Sequence, residues 1–285
     1  MDNLNEVFRT FITDYMSKSE NNTMKKLDLP AFAAPLVGFS SAADPLYDYY
    51  KSHIGEEFYR TPDEWLNKFS NSALSKDNIS VISWVLPQTE EVKAKCRENK
   101  VCPALEWEYV RVYGEECNRA LALAVQEFAR SLGIPALAPM VSEEFAWFPS
   151  ERFTLASNWS ERHTAYISGL GTFGLCDGLI TSVGKAIRIG SCIVGAKLVP
   201  TQRPYTRYDE YCLKDQGCTA CINRCPAGAI SRENGHNKPK CQEYHKNVIS
   251  PYCHDEYGYD GYAVCGLCQT GVPCESGIPE RKNIM

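Results

Sequence analysis

The chain has 285 residues, 44% of them apolar and 23% charged, with a formal net charge of −5 at pH 7. This length supports one full domain with its own core and a smaller module besides. The acidic balance argues against a dedicated nucleic-acid binder. No stretch approaches the ~20 apolar residues that span a bilayer, and the N-terminus lacks the basic and apolar regions of a signal peptide. We therefore expect a soluble cytoplasmic protein.

Apolar periodicity predicts alternating helices and strands in the first half of the chain. Residues 3–19 place their apolar side chains on one helical stripe, which predicts an amphipathic first helix. Residues 34–39 are typical of a short strand or loop. The run at residues 79–86, stopped by Pro87, predicts the clearest buried strand.

The helical pattern returns over residues 115–132, where Gly133 supplies a C-terminal stop. Residues 136–139 then predict a further strand. Ser160 is the expected N-cap of a short helix that continues to about residue 168.

The region from 179 to 199 is rich in β-forming residues, and with Gly184 and Gly190 as breakers it predicts a hairpin. Past Pro200 the composition changes to cysteine, tyrosine and charge. We therefore expect two domains, an α+β domain at 1–200 and a cysteine-rich module at 201–285.

The last quarter of the chain carries two interlocking cysteine motifs. A Cys-x2-Cys-x3-Cys-Pro run is followed by a Cys-x2-Cys-x5-Cys run. In bacterial two-cluster ferredoxins the cysteine before proline ligates the other cluster, so paired motifs of this kind indicate iron–sulfur clusters. Adding Cys212 and Cys241 gives the eight cysteines that two [4Fe–4S] clusters need. The expected ligands are Cys212, Cys218, Cys221 and Cys274 for one cluster, and Cys225, Cys241, Cys265 and Cys268 for the other.

Two other uses of these cysteines are structural zinc and disulfide bonds. Zinc explains neither the Cys-Pro pair nor the third cysteine of the first run, and disulfides need an oxidising compartment. Both ends of the pattern carry five intervening residues, which is wider than the usual two or three. Cys253 is therefore a reserve ligand in place of Cys241 or Cys212.

Residues 169–174 match G-x-G-x-x-G, but they do not predict a dinucleotide site. A Rossmann fingerprint follows a strand and has an acid about 20 residues on. Here the run follows a helical segment, and residues 188–194 contain no acid. The three glycines still permit close approach of the backbone to the cysteine-rich module or to the face of a cofactor.

The order of these motifs resembles the epoxyqueuosine reductase family, which is related to the corrinoid reductive dehalogenases. In that family an E-R pair precedes G-L-G-x-x-G, as Glu161 and Arg162 precede Gly169, Gly171 and Gly174 here, and the cluster cysteines follow. The resemblance covers roughly residues 80–275. It implies a nitroreductase-like α+β domain, a ferredoxin-like module, and a cobalamin between them, near Arg162 and the three glycines. One cluster would lie near the corrin and reduce cobalt to Co(I).

Three departures from the family pattern bear on the substrate. The family's acidic proton donor, six residues before the E-R pair, is Leu155 here, and the lysine after the glycine run is Leu175. Longer members carry a C-terminal helical extension that handles tRNA, whereas this chain ends eleven residues after Cys274. We therefore expect a small-molecule substrate and an external low-potential donor such as a ferredoxin or flavodoxin, with tRNA as a disfavoured partner.

Reduction of a bond needs a proton as well as electrons. The nearest candidates to supply it are His163, Tyr166 and Glu161, because the family's donor position is apolar here. His163 titrates near neutrality, and Tyr166 shares its helix face; the alternatives are that His163 caps or packs within its short helix and that Tyr166 packs in the core. Cys176 is the remaining cysteine best placed to approach a cofactor.

Three functions compete on this sequence. The first is a cobalamin-dependent iron–sulfur reductase of a small molecule, and the second is an electron-transfer or corrinoid-handling protein with no substrate of its own. The third, tRNA modification, would use the basic excess between Lys185 and Lys240, where ten Lys and Arg residues stand against four Asp and Glu, a difference of six. Compensation of anionic clusters explains the same excess.

Overall fold

The computed structural model describes residues 3–70 and 73–281. Within these ranges the helices are α1 (Leu4–Lys18), α2 (Pro45–Ile54), α3 (Pro62–Ser70), α4 (Glu90–Glu98), α5 (Leu105–Ser131), α6 (Glu161–Ile167), α7 (Ala220–Asn223), α8 (Lys238–Tyr244) and α9 (Ser250–Tyr257). The strands are β1 (Thr23–Met24), β2 (Leu29–Pro30), β3 (Leu36–Ser41), β4 (Ser80–Pro87), β5 (Ala136–Leu137), β6 (Trp147–Ser150), β7 (Thr154–Ser157), β8 (Gly171–Phe173), β9 (Leu179–Thr181), β10 (Ile187–Val194), β11 (Ile230–Ser231) and β12 (Gly235–His236). A π-helical turn, His245–Ile249, joins α8 to α9.

A four-stranded antiparallel sheet in the order β3-β4-β10-β5 forms the centre of the first 200 residues. β4 and β10 pair along their whole lengths, from Pro87 opposite Ile187 to Ser80 opposite Val194. All eight residues of β4 are buried, as expected of a strand covered on both faces. The buried strand predicted at residues 79–86 is thus confirmed to within one residue at each end.

Alternate side chains of β4 enter two separate apolar cores, following the two-residue repeat of a strand. Ile82 and Trp84 pack with α1 and α5 in one core, whereas Val81 packs with α2, α3 and α6 in the other. Trp84 Nε1 donates a hydrogen bond to Asn118 Oδ1 at 2.8 Å, so a satisfied polar contact also ties α5 to the sheet. The fold is a mixed helix-and-sheet body. No helix in the described part of the chain is long and apolar enough to cross a membrane.

The first helix and the short helix after Ser160 form where the sequence predicts them, but α5 begins ten residues earlier than predicted, at Leu105. The helix continues through Gly114 because a side chain there would meet the ring of Phe32 at 2.7 Å. At the other end Gly133 adopts φ +75°, and its N–H donates to the Arg130 carbonyl at 2.9 Å. The predicted glycine stop is confirmed.

The hairpin predicted over residues 179–199 is wrong. β9 pairs with β8, with Thr181 opposite Gly171, whereas β10 lies between β4 and β5. Gly190 does not break β10, because it pairs with Trp84 inside the strand. A Cβ at Gly190 would lie 2.6 Å from the Trp84 indole, so close packing rather than a chain break requires glycine there.

A tight turn at Gly184 joins the sheet to the cysteine-rich region. The Lys185 N–H donates to the Cys274 carbonyl at 3.0 Å, and the Ala186 N–H donates to the Glu275 carbonyl at 3.4 Å. Gly184 has φ +87°, and a Cβ there would meet the Glu275 carbonyl oxygen at 1.9 Å. Only glycine combines this backbone conformation with so close an approach.

The chain past residue 200 does not separate at once from the first region. The Thr201 N–H donates to the Phe39 carbonyl, and the Phe39 N–H donates to Thr201 Oγ1, both at 2.9 Å. These bonds extend the edge of the sheet at β3. A domain boundary at residue 200 therefore stays a prediction.

Replacing Gly184 with alanine tests how firmly this turn holds the two regions together. We expect Gly184→Ala to lower the free energy of unfolding by about 2 to 5 kcal/mol, the sum of about 1 to 2 for a positive φ and about 1 to 3 for overpacking. Urea unfolding followed by tryptophan fluorescence measures the change. Gly133→Ala is the matched control, because Gly133 has φ +75° with nothing within 4 Å of its Cβ position. Equal losses in the two variants would contradict the prediction.

Candidate functional site

The four cysteines predicted to form one ligand set line a single cavity. The cavity is bounded by Cys212, Cys218, Cys221 and Cys274. The turn at Gly184 fixes the backbone of Cys274, and α7 carries Cys221. Cysteines separated by up to 62 residues in the sequence therefore line the same cavity.

The second predicted set lies beside the first. Cys241 Sγ is 3.6 Å from His245 Nε2, and the Cys265 N–H donates to the same nitrogen at 3.2 Å. Cys225 and Cys268 pack in a small apolar cluster that also contains a member of the first set. The structure thus brings the two predicted sets into adjoining positions.

Cys241 is better placed for ligation than the reserve residue Cys253. Although burial opposes the shift, hydrogen bonds from His236 and His245 lower the pKa of the Cys241 thiol to about 6, which favours the metal-binding thiolate at neutral pH. Cys253 is fully buried with Cys102 in an apolar cluster against which Cys265 also packs, and burial raises its pKa to about 12.

A ninth cysteine, Cys176, enters the same region from the end of the glycine run. Its Sγ accepts a hydrogen bond from the Lys185 ammonium at 3.2 Å, and it lies within hydrogen-bond reach of Cys221 and Cys268. Cys176 therefore contacts one member of each predicted ligand set. Sequence analysis singled out this cysteine but not Lys185; the available signal was a lysine inside the apolar run at residues 183–194, where Arg188 is the other charged residue.

The arrangement of the cysteines bears on the two alternatives to iron–sulfur clusters, structural zinc and disulfide bonds. All fourteen cysteines lie within the described ranges, and none forms a disulfide. In residues 3–70 and 73–281, no three His, Cys, Asp or Glu side chains converge as ligands of one metal ion. Zinc needs thiolates about 2.3 Å from a shared centre. The four cysteines that line the cavity equal in number the thiolates that a four-iron cluster takes.

Helix α6 carries the predicted catalytic side chains but does not gather them around an open space. The His163 ring centroid lies 4.2 Å from that of Tyr50 and 5.0 Å from that of Phe173. Burial lowers the pKa of His163 to about 3, so the imidazole is neutral at physiological pH. Tyr166 is also buried, and its ring lies 6.0 Å from Phe173.

Glu161 is the carboxylic acid among the three candidates. Both carboxylate oxygens are buried, and neither has a hydrogen-bond partner among the described residues. Burial raises the pKa of Glu161 to about 8, against the lowering effect of the neighbouring Ser191 and Trp159 side chains and with a smaller contribution from Glu115. The group is therefore mainly the neutral acid at pH 7. Glu161 and Tyr166, whose pKa is likewise raised by burial, both hold a proton at neutral pH, and the carboxylic acid is the stronger donor of the two.

Arg111, Arg162 and Arg188 lie at the corner where α5, α6 and β10 meet. Nearby carboxylates neutralise only part of their positive charge. Arg188 pairs with Glu115 at 3.3 Å, and burial together with Arg111 and Arg162 holds its pKa below the usual range against the pull of Glu115. Neither Arg111 nor Arg162 forms an ion pair within the described ranges. Arg111 also lies 5.6 Å from the centroid of the Tyr262 ring in the cysteine-rich region. Such a group of guanidinium side chains suits an anionic ligand.

The glycine run is filled by the protein's own chain. A Cβ at Gly171 would meet the Ile180 carbonyl oxygen at 2.2 Å, and one at Gly169 would meet the Gln202 carbonyl oxygen at 3.0 Å. Gly174 is the least confined of the three, with its nearest neighbour, the Ile180 side chain, at 3.3 Å. A flat macrocycle therefore does not fit against Gly169 and Gly171, whereas an anionic group fits at the three arginines.

Part of the basic excess between residues 185 and 240 is buried or paired, whereas Lys197, Arg207, Arg232 and Lys240 are exposed. Lys185 is 2% exposed, Arg203 pairs with Asp44 at 2.6 Å, and Lys214 pairs with Asp209 at 2.7 Å. Arg224 donates to carbonyl groups rather than to solvent. This arrangement favours charge compensation around the cysteines over a basic docking face.

No protein-family model matches the sequence, and no curated protein sequence matches it. Solved structures are similar in fold. An epoxyqueuosine reductase from Bacillus subtilis is 16% identical, with 90% of this chain and 64% of that chain covered and a TM-score of 0.46. A catabolic reductive dehalogenase in complex with 3-bromo-4-hydroxybenzoic acid is 12% identical, with 86% and 30% covered and a TM-score of 0.51.

An epoxyqueuosine reductase solved with an epoxyqueuosine-modified tRNA stem loop is also similar, at 16% identity, 90% and 64% coverage and a TM-score of 0.48. The chain thus spans 64% of the length of these epoxyqueuosine reductases and 30% of the dehalogenase. Both protein groups expected from the sequence are structural neighbours, at low identity, so the predicted resemblance is confirmed. The likeness to the dehalogenase shows a shared fold over most of this chain.

The buried acid predicts a pH-dependent effect of Glu161→Gln. Because the folded protein binds this proton more tightly than the unfolded chain, the wild type loses stability as pH rises from about 4.5 to about 8. The free energy of unfolding of the variant, relative to that of the wild type, should therefore rise by at least about 1.4 kcal/mol between these two pH values. This is the equivalent of one pKa unit. Urea unfolding at both pH values measures it.

The matched control is Glu116→Gln on the exposed side of α5. Its stability difference from the wild type should be the same at both pH values, because the exposed carboxyl has water available in the folded and unfolded chains alike. A Glu161→Gln difference that does not change with pH would show that this carboxyl is solvated in the folded protein.

Proposed function

We propose that the protein is an iron–sulfur oxidoreductase with two [4Fe–4S] clusters, one on each predicted cysteine set. The observation that carries the proposal is the cavity bounded by all four cysteines of the first set. The adjoining second set and the Cys-Pro motif match the interlocked arrangement of two-cluster ferredoxins. In this proposal residues 201–285 form a ferredoxin-like module and residues 1–200 a nitroreductase-like α+β domain.

Contact between the two ligand sets supports transfer of electrons from one cluster to the other. Cys221 of the first set packs with Cys225 and Cys268 of the second in one apolar cluster, which keeps water out of the space between them. An external low-potential donor, a ferredoxin or flavodoxin, would supply the electrons. The module would then deliver them singly to the corner where α5, α6 and β10 meet.

That corner contains the groups a reductive site needs besides electrons. Glu161 retains its proton at neutral pH, and Arg111, Arg162 and Arg188 suit an anion. The resemblance implies cobalamin, which when bound would collect two electrons for the reduction of a small-molecule substrate. The three arginines are the residues that would hold it, through its phosphate, while the closed glycine run takes no part.

An electron carrier or corrinoid-handling protein without its own substrate is the second candidate. Leu155, at the position of the family's acidic donor, is 42% exposed in β7, and neutral His163 is enclosed by aromatic rings. Glu161 would then be a buried acid with no reaction to serve. Reduction of tRNA is less favoured, because much of the basic excess is directed inward.

Anaerobic reconstitution with iron and sulfide tests the cluster assignment. We expect about eight irons per chain, and about four after Cys221→Ser or Cys265→Ser, because each variant removes one ligand from a different cluster. Iron and sulfide analysis with EPR spectra of the reduced protein measures this. Cys117→Ala is the matched control, since Cys117 is buried in the α1–α5 core, and it should retain all the iron. Full iron in both ligand variants, or zinc in place of iron, would contradict the proposal.

Reconstitution with hydroxocobalamin separates the two candidate functions. If the corner binds a corrinoid, the desalted protein should retain about one cobalt per chain and show a Co(II) EPR signal on partial reduction. Arg162→Gln should lower retention by at least about tenfold, the loss of one charge-assisted contact. Arg119→Gln, on an exposed part of α5, should not. Full iron with no retained cobalt would remove the corrinoid and leave the electron carrier.

A further inference from the structure

Lys185 is a buried cation with no carboxylate near it. The residue is 2% exposed, and its ammonium donates to Cys176 Sγ at 3.2 Å. Within the described ranges it forms no ion pair with Asp or Glu. The titratable groups that act on it most strongly are four cysteines, Cys176, Cys274, Cys268 and Cys221.

An ammonium group in such a position needs a compensating negative charge, since burying an unpaired ion costs several kcal/mol. Two of the four cysteines, Cys221 and Cys274, belong to the first predicted ligand set, and Cys268 belongs to the second. Lys185 also lines the cysteine cavity. Its position therefore matches that of a counter-ion beside a cluster with four thiolate ligands.

The backbone leaves this side chain little freedom. The Lys185 N–H bonds to the Cys274 carbonyl at 3.0 Å, and the neighbouring glycine packs against the Glu275 backbone. The main chain of Lys185 is therefore held by a hydrogen bond to a predicted ligand residue, and charges interact most strongly at short range where they are buried.

We infer that Lys185 sets the reduction potential of the adjacent cluster by compensating its negative charge. The inference rests on the proposed function, because it requires a cluster on Cys212, Cys218, Cys221 and Cys274. Reduction adds one negative charge to a cluster, so a fixed cation beside it stabilises the reduced form and raises the potential. Lys185 is thus a positioning and tuning residue that does not itself bind iron.

The test is an anaerobic, EPR-monitored redox titration of the reconstituted full-length protein. Lys185→Met keeps the length of the side chain and removes the charge. At a fixed potential the reduced-to-oxidised ratio of at least one cluster should fall about tenfold or more, a shift of about 59 mV for one electron. Iron and sulfide counts establish that both clusters are present in each sample.

Lys214→Met is the matched control. Lys214 lines the same cavity, but its ammonium is paired with Asp209 at 2.7 Å and its side chain is 27% exposed. Pairing and solvent screen that charge, so the ratio should change less than about threefold. A similar change in both variants would make the effect one of net charge and overturn the assignment to Lys185.

The remaining outcomes are also decisive. A wild-type protein that takes up no iron overturns the proposed function and this inference with it, whereas two clusters with an unchanged potential in Lys185→Met overturn the inference alone. If Lys185→Met assembles less iron, Lys185→Arg decides. Full iron and a wild-type potential with arginine support charge compensation, and iron loss in both variants would make Lys185 a packing residue.

Discussion

The backbone contact between the Gly184 turn and the segment at Cys274 and Glu275 is the constraint on which the candidate site depends. Gly184 has no room for a side chain. The N–H groups of the next two residues, Lys185 and Ala186, donate hydrogen bonds to carbonyls of the cysteine-rich region. Because β10 begins at Ile187 and pairs with the buried strand β4, the most rigid part of the sheet fixes the last cysteine of the first set. The same turn directs Lys185 into the cavity.

A second set of contacts holds the cysteine-rich region against the start of α5. Val264 N–H donates to the buried Glu108 carboxylate at 3.0 Å, and a Cβ at Gly266 would collide with the Trp107 indole. Arg224 adds bonds to the carbonyls of Asn99 and Thr270 at 2.8 and 3.0 Å. The predicted ligand cysteines before and after residues 242–264 are thus held against the same part of the fold, near the start of α5. This explains how residues far apart in sequence keep fixed positions before any cofactor binds.

What the sequence predicts well is what short-range patterns determine. The strand at β4 follows from an uninterrupted apolar run, and the end of α5 follows from Gly133, whose positive φ few other residues adopt. The grouping of Cys212, Cys218 and Cys221 with Cys274 follows from the interlock of ferredoxin motifs rather than from any local fold. That grouping agrees with the cavity in the structure, although the role of the cysteines as ligands is still a proposal.

The failures have a common cause, since each depends on which distant segments meet. The sequence at 179–199 contains two β-forming stretches, but nothing local states that β9 takes β8 as its partner. Likewise Gly114 weakens the helical pattern, and only the ring of Phe32 packed against it explains why α5 continues. Arg111, Arg162 and Arg188 come from a helix, a second helix and a strand, so their excess charge is visible only after folding.

The distribution of charge supports one view of the whole molecule. Cations counted as a basic patch in the sequence are divided in the structure between internal pairs, carbonyl contacts and the cysteine cavity. Although the chain is acidic overall, Lys185 lies beside the thiols, and Arg111 and Arg162 have no carboxylate partners in the described ranges. Both placements favour negative charge at fixed points, at the cysteines and at the α5–α6 corner. In the proposed function, electrons that pass from the clusters to an anionic ligand would meet stabilising positive charge at each end of that path.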